Sequence, residues 1–529
     1  MPLASPFRRK SLDHLVGETT EPQHQLRRAL GPLQLTMLGI GAIVGAGIFT
    51  SVGTAAAGGA DHIGAGPALV ISFLIVAVAC GFAALCYCEF AAMVPVSGSA
   101  YTYAYATLGE LAAWLIGWDL ILEYAISNAA VAVSCSGYIQ SLLSSALKLH
   151  FPPWLGTDYR SASQSAHHFA ESLANLNLLP FSLFQPQCDL SGLAESAGQN
   201  LAAFVTAPRL FGVPLIFNLP AFAIVAVVSW VVLIGIRETA RFNTGLVLAK
   251  LAIIVFFLVV GASCIQPENW IPFAPNGFKG ISSAAAILFF AYIGFDAVST
   301  AAEETRNPQR DMPIGILASL VVCTVLYVAV SVVLTGMARW NTLGNAEPLA
   351  AVFAAKGMNW TASIIALGGV LATTSALVPY QAGQPRIFFS MGRDGLLPSW
   401  AAKVHPRFRT PHVTTIITGV VVAVCSSVAN INELVELTNI GTLFAFALVA
   451  AGVIILRFTD PERPRPFRTP FVPWIPLLAI ACCAYLMYEL PAITWVRFFL
   501  WMAAGLLIYG FYGIRRSRLA NGQCTKKSP

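Results

Sequence analysis

The chain has 529 residues, of which 57% are hydrophobic and only 11% charged, with a formal net charge of +6. Soluble globular proteins carry roughly a quarter of their residues as Asp, Glu, Lys or Arg, so the composition argues against a soluble enzyme. A disordered or nucleic-acid-binding chain is excluded more firmly, because both need charge that is absent here. Helical spans of about 20 to 25 residues would use up the apolar residues in about a dozen crossings, which describes a polytopic α-helical membrane protein.

Residues 1–31 are polar and charged. No cleaved signal is expected, and the first apolar run serves as its own insertion signal. Runs long enough to cross a bilayer follow at 33–57, 66–92, 111–146, 218–236, 243–265, 281–302, 313–337, 359–385, 412–429, 434–456, 472–489 and 492–514. They predict an all-α membrane protein with 12 transmembrane helices. The third run is too long for a simple crossing and implies a steep tilt or a projection beyond the bilayer.

With a cytoplasmic N-terminus, the inner segments collect Arg8, Arg9, Lys10, Arg306, Arg310, Arg463, Arg468, Arg515 and their neighbours. Only a few basic residues, such as Lys148, Arg209 and Lys279, fall outside. An inside excess of about three to one is a strong positive-inside signal, and it places both termini in the cytoplasm.

The long connection 147–217 then lies outside. It is rich in Ser, Gln, Pro and His, and a short amphipathic helix is expected near 164–178. His150, His167 and His168 fit no standard ligand spacing, and a solvated loop is the expected reading. Most cysteines lie in apolar stretches, where a thiol behaves as a small hydrophobe. No CxxC pair points to zinc, and Cys188 stands alone in the loop.

The first span holds Gly39, Gly41, Gly45 and Gly47 within nine residues, and each glycine weakens a helix by about 1 kcal/mol relative to alanine. Three readings compete. A dinucleotide fingerprint, with Asp61 about twenty residues on, needs a βαβ unit in water. Gly41 and Gly45 also form a GxxxG packing face. The third reading unwinds the helix at Gly45-Ala46-Gly47. That exposes backbone N–H groups which, with the half-helix dipole, favour a carboxylate. Transporters with inverted repeats pair their broken helices, and the sixth span supplies a matching interruption at Phe289 to Asp296. The pairing favours a substrate site.

Gly45-Ala46-Gly47-Ile48-Phe49 resembles the first-span motif of the amino acid–polyamine–organocation transporters. Glu303-Glu304 with Asn307-Pro308 and Pro313 resembles the end of their sixth span. The nearest likeness is to the cationic amino acid transporter family and its bacterial relatives. It rests on residues 95–101 (Pro-Val-Ser-Gly-Ser-Ala-Tyr), 117–124 (Gly-Trp-Asp-Leu-Ile-Leu-Glu-Tyr), Phe290 to Asp296, and Gly392-Arg393-Asp394-Gly395. The resemblance covers about 28 to 490 and weakens in the 147–217 loop.

This resemblance implies two inverted five-helix repeats with broken helices 1 and 6, plus helices 11 and 12. The first repeat would occupy 32–265 and the second 278–457, with the last two helices at 470–514 and a cytoplasmic tail at 515–529. It implies a substrate site at Ile43, Gly45, Ala46, Gly47, Ile48, Glu123, Phe290, Ala291, Ile293 and Asp296. The amides of Ala46, Gly47 and Ile48 would hold an α-carboxylate. The carbonyls of Phe290, Ala291 and Ile293 would hold the α-ammonium, with Phe290 as a gate.

Charges at membrane depth are costly, by about 2.5 to 3.5 kcal/mol on insertion scales, and are functional candidates by default. Asp119 and Glu123 share one helix face. Lys250 lies about 12 Å past the inner end of the fifth span. The plain alternative is a structural ion pair. In proton-coupled members of the resembled family, a fifth-span lysine takes the place of the sodium site, which makes Lys250 the expected proton-coupling residue. Glu123 or Asp296 could pair with a cationic substrate side chain, unless either is committed to Lys250 or to backbone. In that case a small neutral side chain fits instead. Glu303 and Glu304 near Arg306 and Arg310 read as an interfacial cluster or inner gate.

The expected function is secondary active, proton-coupled import of L-amino acids by alternating access. Sodium-coupled transport, exchange, or a sensor without flux are the alternatives, although the short tails leave little room for signalling sequence. No nucleophile–base pair or HExxH is visible, so no catalytic residue, metal site or cofactor beyond the coupling proton is expected. The expected partners are the amino acid, a proton and the lipid bilayer, not nucleic acid. The molecule is expected in the cell membrane as a monomer or weak oligomer, with room for a small accessory subunit.

Overall fold

The computed structural model describes residues 8, 30–59, 62–94, 99–149, 151–175, 198–234, 239–345, 347–405 and 411–518. Most of both tails, Asp61, 95–98, His150, Cys188 and the side chains of Glu303 and Glu304 lie outside the described residues.

The described chain is almost wholly helical. Its main helices are α1 (Pro32–Ile43), α2 (Val52–Ala57), α3 (Leu69–Met93), α4 (Ser99–Thr107), α5 (Glu110–Leu147), α6 (Tyr159–Asn175), α7 (Leu219–Ile234) and α8 (Thr239–Ala262). They continue with α9 (Gly277–Leu288), α10 (Pro308–Met337), α11 (Asn359–Arg393), α12 (His412–Val428), α13 (Ile431–Thr459), α14 (Trp474–Tyr488) and α15 (Ala492–Ile508). Each predicted apolar run overlaps at least one helix among the described residues. Eight helices are long and apolar enough to cross a membrane, α1 and the Gly47–Ala57 segment form a bent pair, and α7, α12 and α14 are shorter apolar helices. The fold is that of a multi-pass membrane protein.

Several boundaries move outward from the hydropathy estimate. α10 begins at Pro308 rather than near 313, with Pro308 in its first turn and Pro313 inside the helix. The missing proline N–H falls where no intrahelical acceptor exists. α5 runs for 38 residues, about 57 Å at 1.5 Å per residue, against a hydrocarbon core of about 30 Å. The excess projects beyond the bilayer.

α5 is the central post. α11 and α13 pack along it, while α10 packs on α3 and α1. α15 docks on the N-terminal half of α5 through an indole stack. Trp118 and Trp501 lie 4.5 Å apart and exchange Nε1–H bonds with each other's carbonyls at 2.9 and 3.1 Å. Each indole thereby satisfies the one polar group that burial would otherwise leave unpaired.

The described parts of the 147–217 connection fold back on the bundle. α6, which covers the expected amphipathic helix and starts earlier, buries Ala162 with Ala203, Ala207 and Ile216. Arg160 pairs with Glu433 at 2.7 Å, and Asn430 Nδ2 donates to Ser161 Oγ at 2.8 Å. No cluster of His, Cys, Asp or Glu able to hold a metal occurs among the described residues.

Candidate substrate site

The first span breaks where its glycines are densest. α1 ends at Ile43, Val44 is extended (ψ 90°), and the axis turns by 44° before the Gly47–Ala57 segment. The first amide of that segment with an intrahelical acceptor is Phe49, on Gly45 O at 3.3 Å. The N–H groups of Ala46, Gly47 and Ile48 therefore stand at a helix start with no acceptor in their own helix. That is the geometry in which a carboxylate is held.

The sixth span breaks at the same depth. α9 passes into a tight 3₁₀ turn at Phe289–Tyr292, Ile293 is extended, and Gly294 has φ +124°, which a side chain disfavours. A second 3₁₀ stretch, Asp296–Glu304, follows. Gly294 N donates to Asp296 Oδ1 at 3.2 Å, so Asp296 is committed to backbone.

The two breaks touch. A Cβ on Gly47 would stand 2.2 Å from Ala291 Cα, and one on Gly294 would stand 2.8 Å from the Ala42 carbonyl carbon. Only glycine permits this approach at either position. Phe290 is buried at 5% exposure beside the junction.

Lys250 reaches into the first break. Its Nζ donates to Gly41 O at 2.6 Å, Val44 O at 2.7 Å and Ser375 Oγ at 3.1 Å. Those are three acceptors for the three protons of an ammonium, and none of them is a carboxylate. The expected alternative of a Lys–acid pair is therefore not formed. Glu123 is buried, with Oε2 lacking a hydrogen-bond partner, and Asp119 is fully buried with both oxygens unpartnered.

Sequence reasoning missed the hydroxyls and amides that hold the breaks. Tyr327 OH on α10 lies 2.9 Å from both Ile43 O and Ala291 O, bridging the two spans. Tyr380 OH reaches Ile293 O at 3.5 Å, and Tyr138 OH donates to Phe49 O. Asn439 Nδ2 donates to Ala286 O at 2.7 Å. Asn128 donates to Gln381, which donates on to Ser229 Oγ at 2.9 Å. The only signal in the sequence was a polar group in mid-span, as at Leu326-Tyr327-Val328, and such residues are common enough to pass unremarked.

A profile of amino acid permeases matches residues 30–508. The chain belongs to the amino acid permease family. The permease is 44% identical over 517 residues to the branched-chain amino acid permease BcaP of Bacillus subtilis (strain 168), covering 97% of this chain and 99% of that protein. It is 41% identical over 517 residues to the methylthioribose transporter of the same organism, covering 98% and 100%. It is also 32% identical over 461 residues to the vacuolar cationic amino acid transporter 4 of Arabidopsis thaliana, covering 86% and 67%. These relatives are named as permeases and transporters, and the chain is accordingly a permease and not an enzyme.

Proposed function

We propose that this permease imports a neutral L-amino acid with an apolar side chain, in symport with a proton, by alternating access in the plasma membrane. The reading assigns it twelve spans, two inverted five-helix repeats and cytoplasmic termini. The bond of Lys250 to the unwound carbonyls of the first span is the observation that carries it. A protonated amine has three donors for Gly41 O, Val44 O and Ser375 Oγ, and a neutral amine has two. Losing the proton loosens one tie between the first span and α11, which is where an alternating-access movement has to begin.

Substrate backbone groups fit the two breaks, with the carboxylate on the amides of Ala46, Gly47 and Ile48 and the ammonium on the carbonyls of Phe290, Ala291 and Ile293. The side chain then meets Ile43, Ile48 and Phe290. The commitment of Asp296 to Gly294 N favours an uncharged side chain, as do the two nearly full-length relatives named for uncharged substrates. One observation favours a second reading, a cationic substrate: the partnerless Glu123 Oε2.

The test is uptake into proteoliposomes with competition by all proteinogenic amino acids at two external pH values. The expected result is competition by Leu, Ile and Val, uptake that rises as external pH falls, and loss of that pH dependence in Lys250→Ala with substrate binding retained. Competition by Arg and Lys alone would establish the second substrate reading. Uptake driven by sodium and indifferent to a pH gradient would overturn the coupling.

A further inference from the structure

The inner ends of α10 and of the 460–473 segment enclose a groove of about 470 Å³, lined by Gln309, Arg310, Pro313, Ile314, Leu317 and Phe467. That is the size of a site for one small molecule. Its apolar wall opens on the membrane. Ile314 is 41% exposed and continues along α10 into Val321 at 62% and Val325 at 64%, positions that share one helix face.

One cation, Arg310, lines the groove, and two more stand near lining residues in the sequence: Arg468 follows Phe467, and Arg306 precedes α10. All three are exposed, and among the described residues none has a hydrogen-bond or ion-pair partner for its side chain. Elsewhere on this face Asp460 is engaged by Arg463 at 3.7 Å.

The opposite wall is held firmly. Buried Glu89 accepts Arg457 Nε at 3.0 Å and Arg457 Nη2 at 2.9 Å, lies 3.2 Å from Arg465 Nε, and accepts Thr469 N at 2.8 Å. The segment carrying Phe467 and Arg468 is therefore fixed to the end of α3, and the groove is formed before anything binds.

We propose that this groove is a binding site for an anionic glycerophospholipid of the cytoplasmic leaflet. The phosphate sits between Arg310 and Arg468, and one acyl chain lies against Ile314, Leu317 and Phe467. A soluble phosphate would satisfy the arginines and leave the apolar wall open. A zwitterionic lipid would fill the wall, but its phosphate arrives with its own headgroup cation and so neutralises the arginines only weakly. The inner surface of a cell membrane is rich in anionic headgroups, and each juxtamembrane Arg or Lys gains about 1 kcal/mol there. The site grips the base of the helix whose Tyr327 bridges the two breaks, about 21 Å further along α10. The placement on the cytoplasmic side rests on the orientation proposed above, whereas the binding test below does not depend on transport.

The test is lipid retention by the purified full chain, read by native mass spectrometry after titration with phosphatidylglycerol or phosphatidylcholine of the same chain length. Phosphatidylglycerol is expected to be retained roughly tenfold better. The double variant Arg310→Gln/Arg468→Gln is expected to erase that preference and leave phosphatidylcholine binding unchanged. Leu317→Trp, which fills the groove and keeps every charge, is expected to reduce phosphatidylglycerol retention as strongly. Retention that survives both variants, or displacement by soluble glycerol phosphate as effective as displacement by the lipid, would overturn the site.

Discussion

A hydroxyl placed between two carbonyls in a membrane shares its single proton between them and has no water to fall back on, so its removal leaves a buried acceptor without a donor. Tyr327 is in that position between Ile43 O and Ala291 O. Leaving a buried acceptor unsatisfied costs about 1 to 3 kcal/mol. Tyr327→Phe keeps the ring packing on Phe73 at 5.4 Å and on Tyr292 at 5.3 Å. The variant is expected to fold and melt close to wild type while its initial uptake rate falls by roughly five- to thirtyfold, measured in proteoliposomes. Gly47→Ala is expected to be more severe, because its Cβ would lie 2.2 Å from Ala291 Cα and the breaks could no longer meet. Gly81→Ala, with nothing within 4 Å, is the control that leaves uptake unchanged. At this scale the sequence exposed the charges, since Lys250 and Glu123 are conspicuous among apolar neighbours. It did not expose their partners, because Gly41 O, Val44 O and the tyrosine hydroxyls are brought together by tertiary contact that no local pattern encodes.

α6 and its neighbours pack against the bundle through Glu433 and Asn430, and their attachment is expected to respond to pH through Asp158. That carboxyl accepts Ser161 N and Ser161 Oγ, both at 2.7 Å, at the entry to α6. Burial pushes its pKa from 3.8 up to about 6. A folded-state pKa above the unfolded value means that the folded loop binds more protons between those two values. Stability of the docked loop therefore rises as pH falls from about 6 toward 4 and is lowest above 6. Limited proteolysis of the 147–217 connection is expected to slow as pH is lowered from 7 to 5. Asp158→Asn, neutral at every pH, is expected to flatten that dependence, while Arg160→Gln, which removes the 2.7 Å pair with Glu433, is expected to speed cleavage at both pH values. Helices of this kind were legible wherever hydropathy is continuous, as in α3, α10 and α13. Their ends were not, because the first turn of α10 and the last turns of α11 are polar and drop out of a hydropathy window.

Across the whole molecule, one buried acid ties three distant parts of the chain together. Glu89 near the C-terminal end of α3 holds Arg457 at the end of α13 and, through Arg465 and Thr469, the segment that leads into α14. Removing one partner of such a network costs about 3 to 5 kcal/mol, because the remaining charges stay buried without a counter-charge. The two arginines differ in what they retain. Arg465 still donates to the carbonyls of Leu456, Asp460, Pro461 and Arg463, whereas Arg457 bonds only to Glu89 among the described residues and its side chain is 25% exposed, so it can turn toward water. The strain of Glu89→Ala therefore concentrates in the 460–473 segment rather than in α13. That segment is a wall of the lipid groove, although Glu89 itself does not line the groove. Glu89→Ala is thus expected to lower the melting temperature in detergent and also to weaken phosphatidylglycerol retention, with phosphatidylcholine binding unaltered. Added phosphatidylglycerol is expected to recover part of the lost melting temperature, since a ligand that binds only the folded form stabilises it in proportion to its occupancy. A variant that melts early yet retains the lipid as wild type does would show that the groove is shaped by α10 alone.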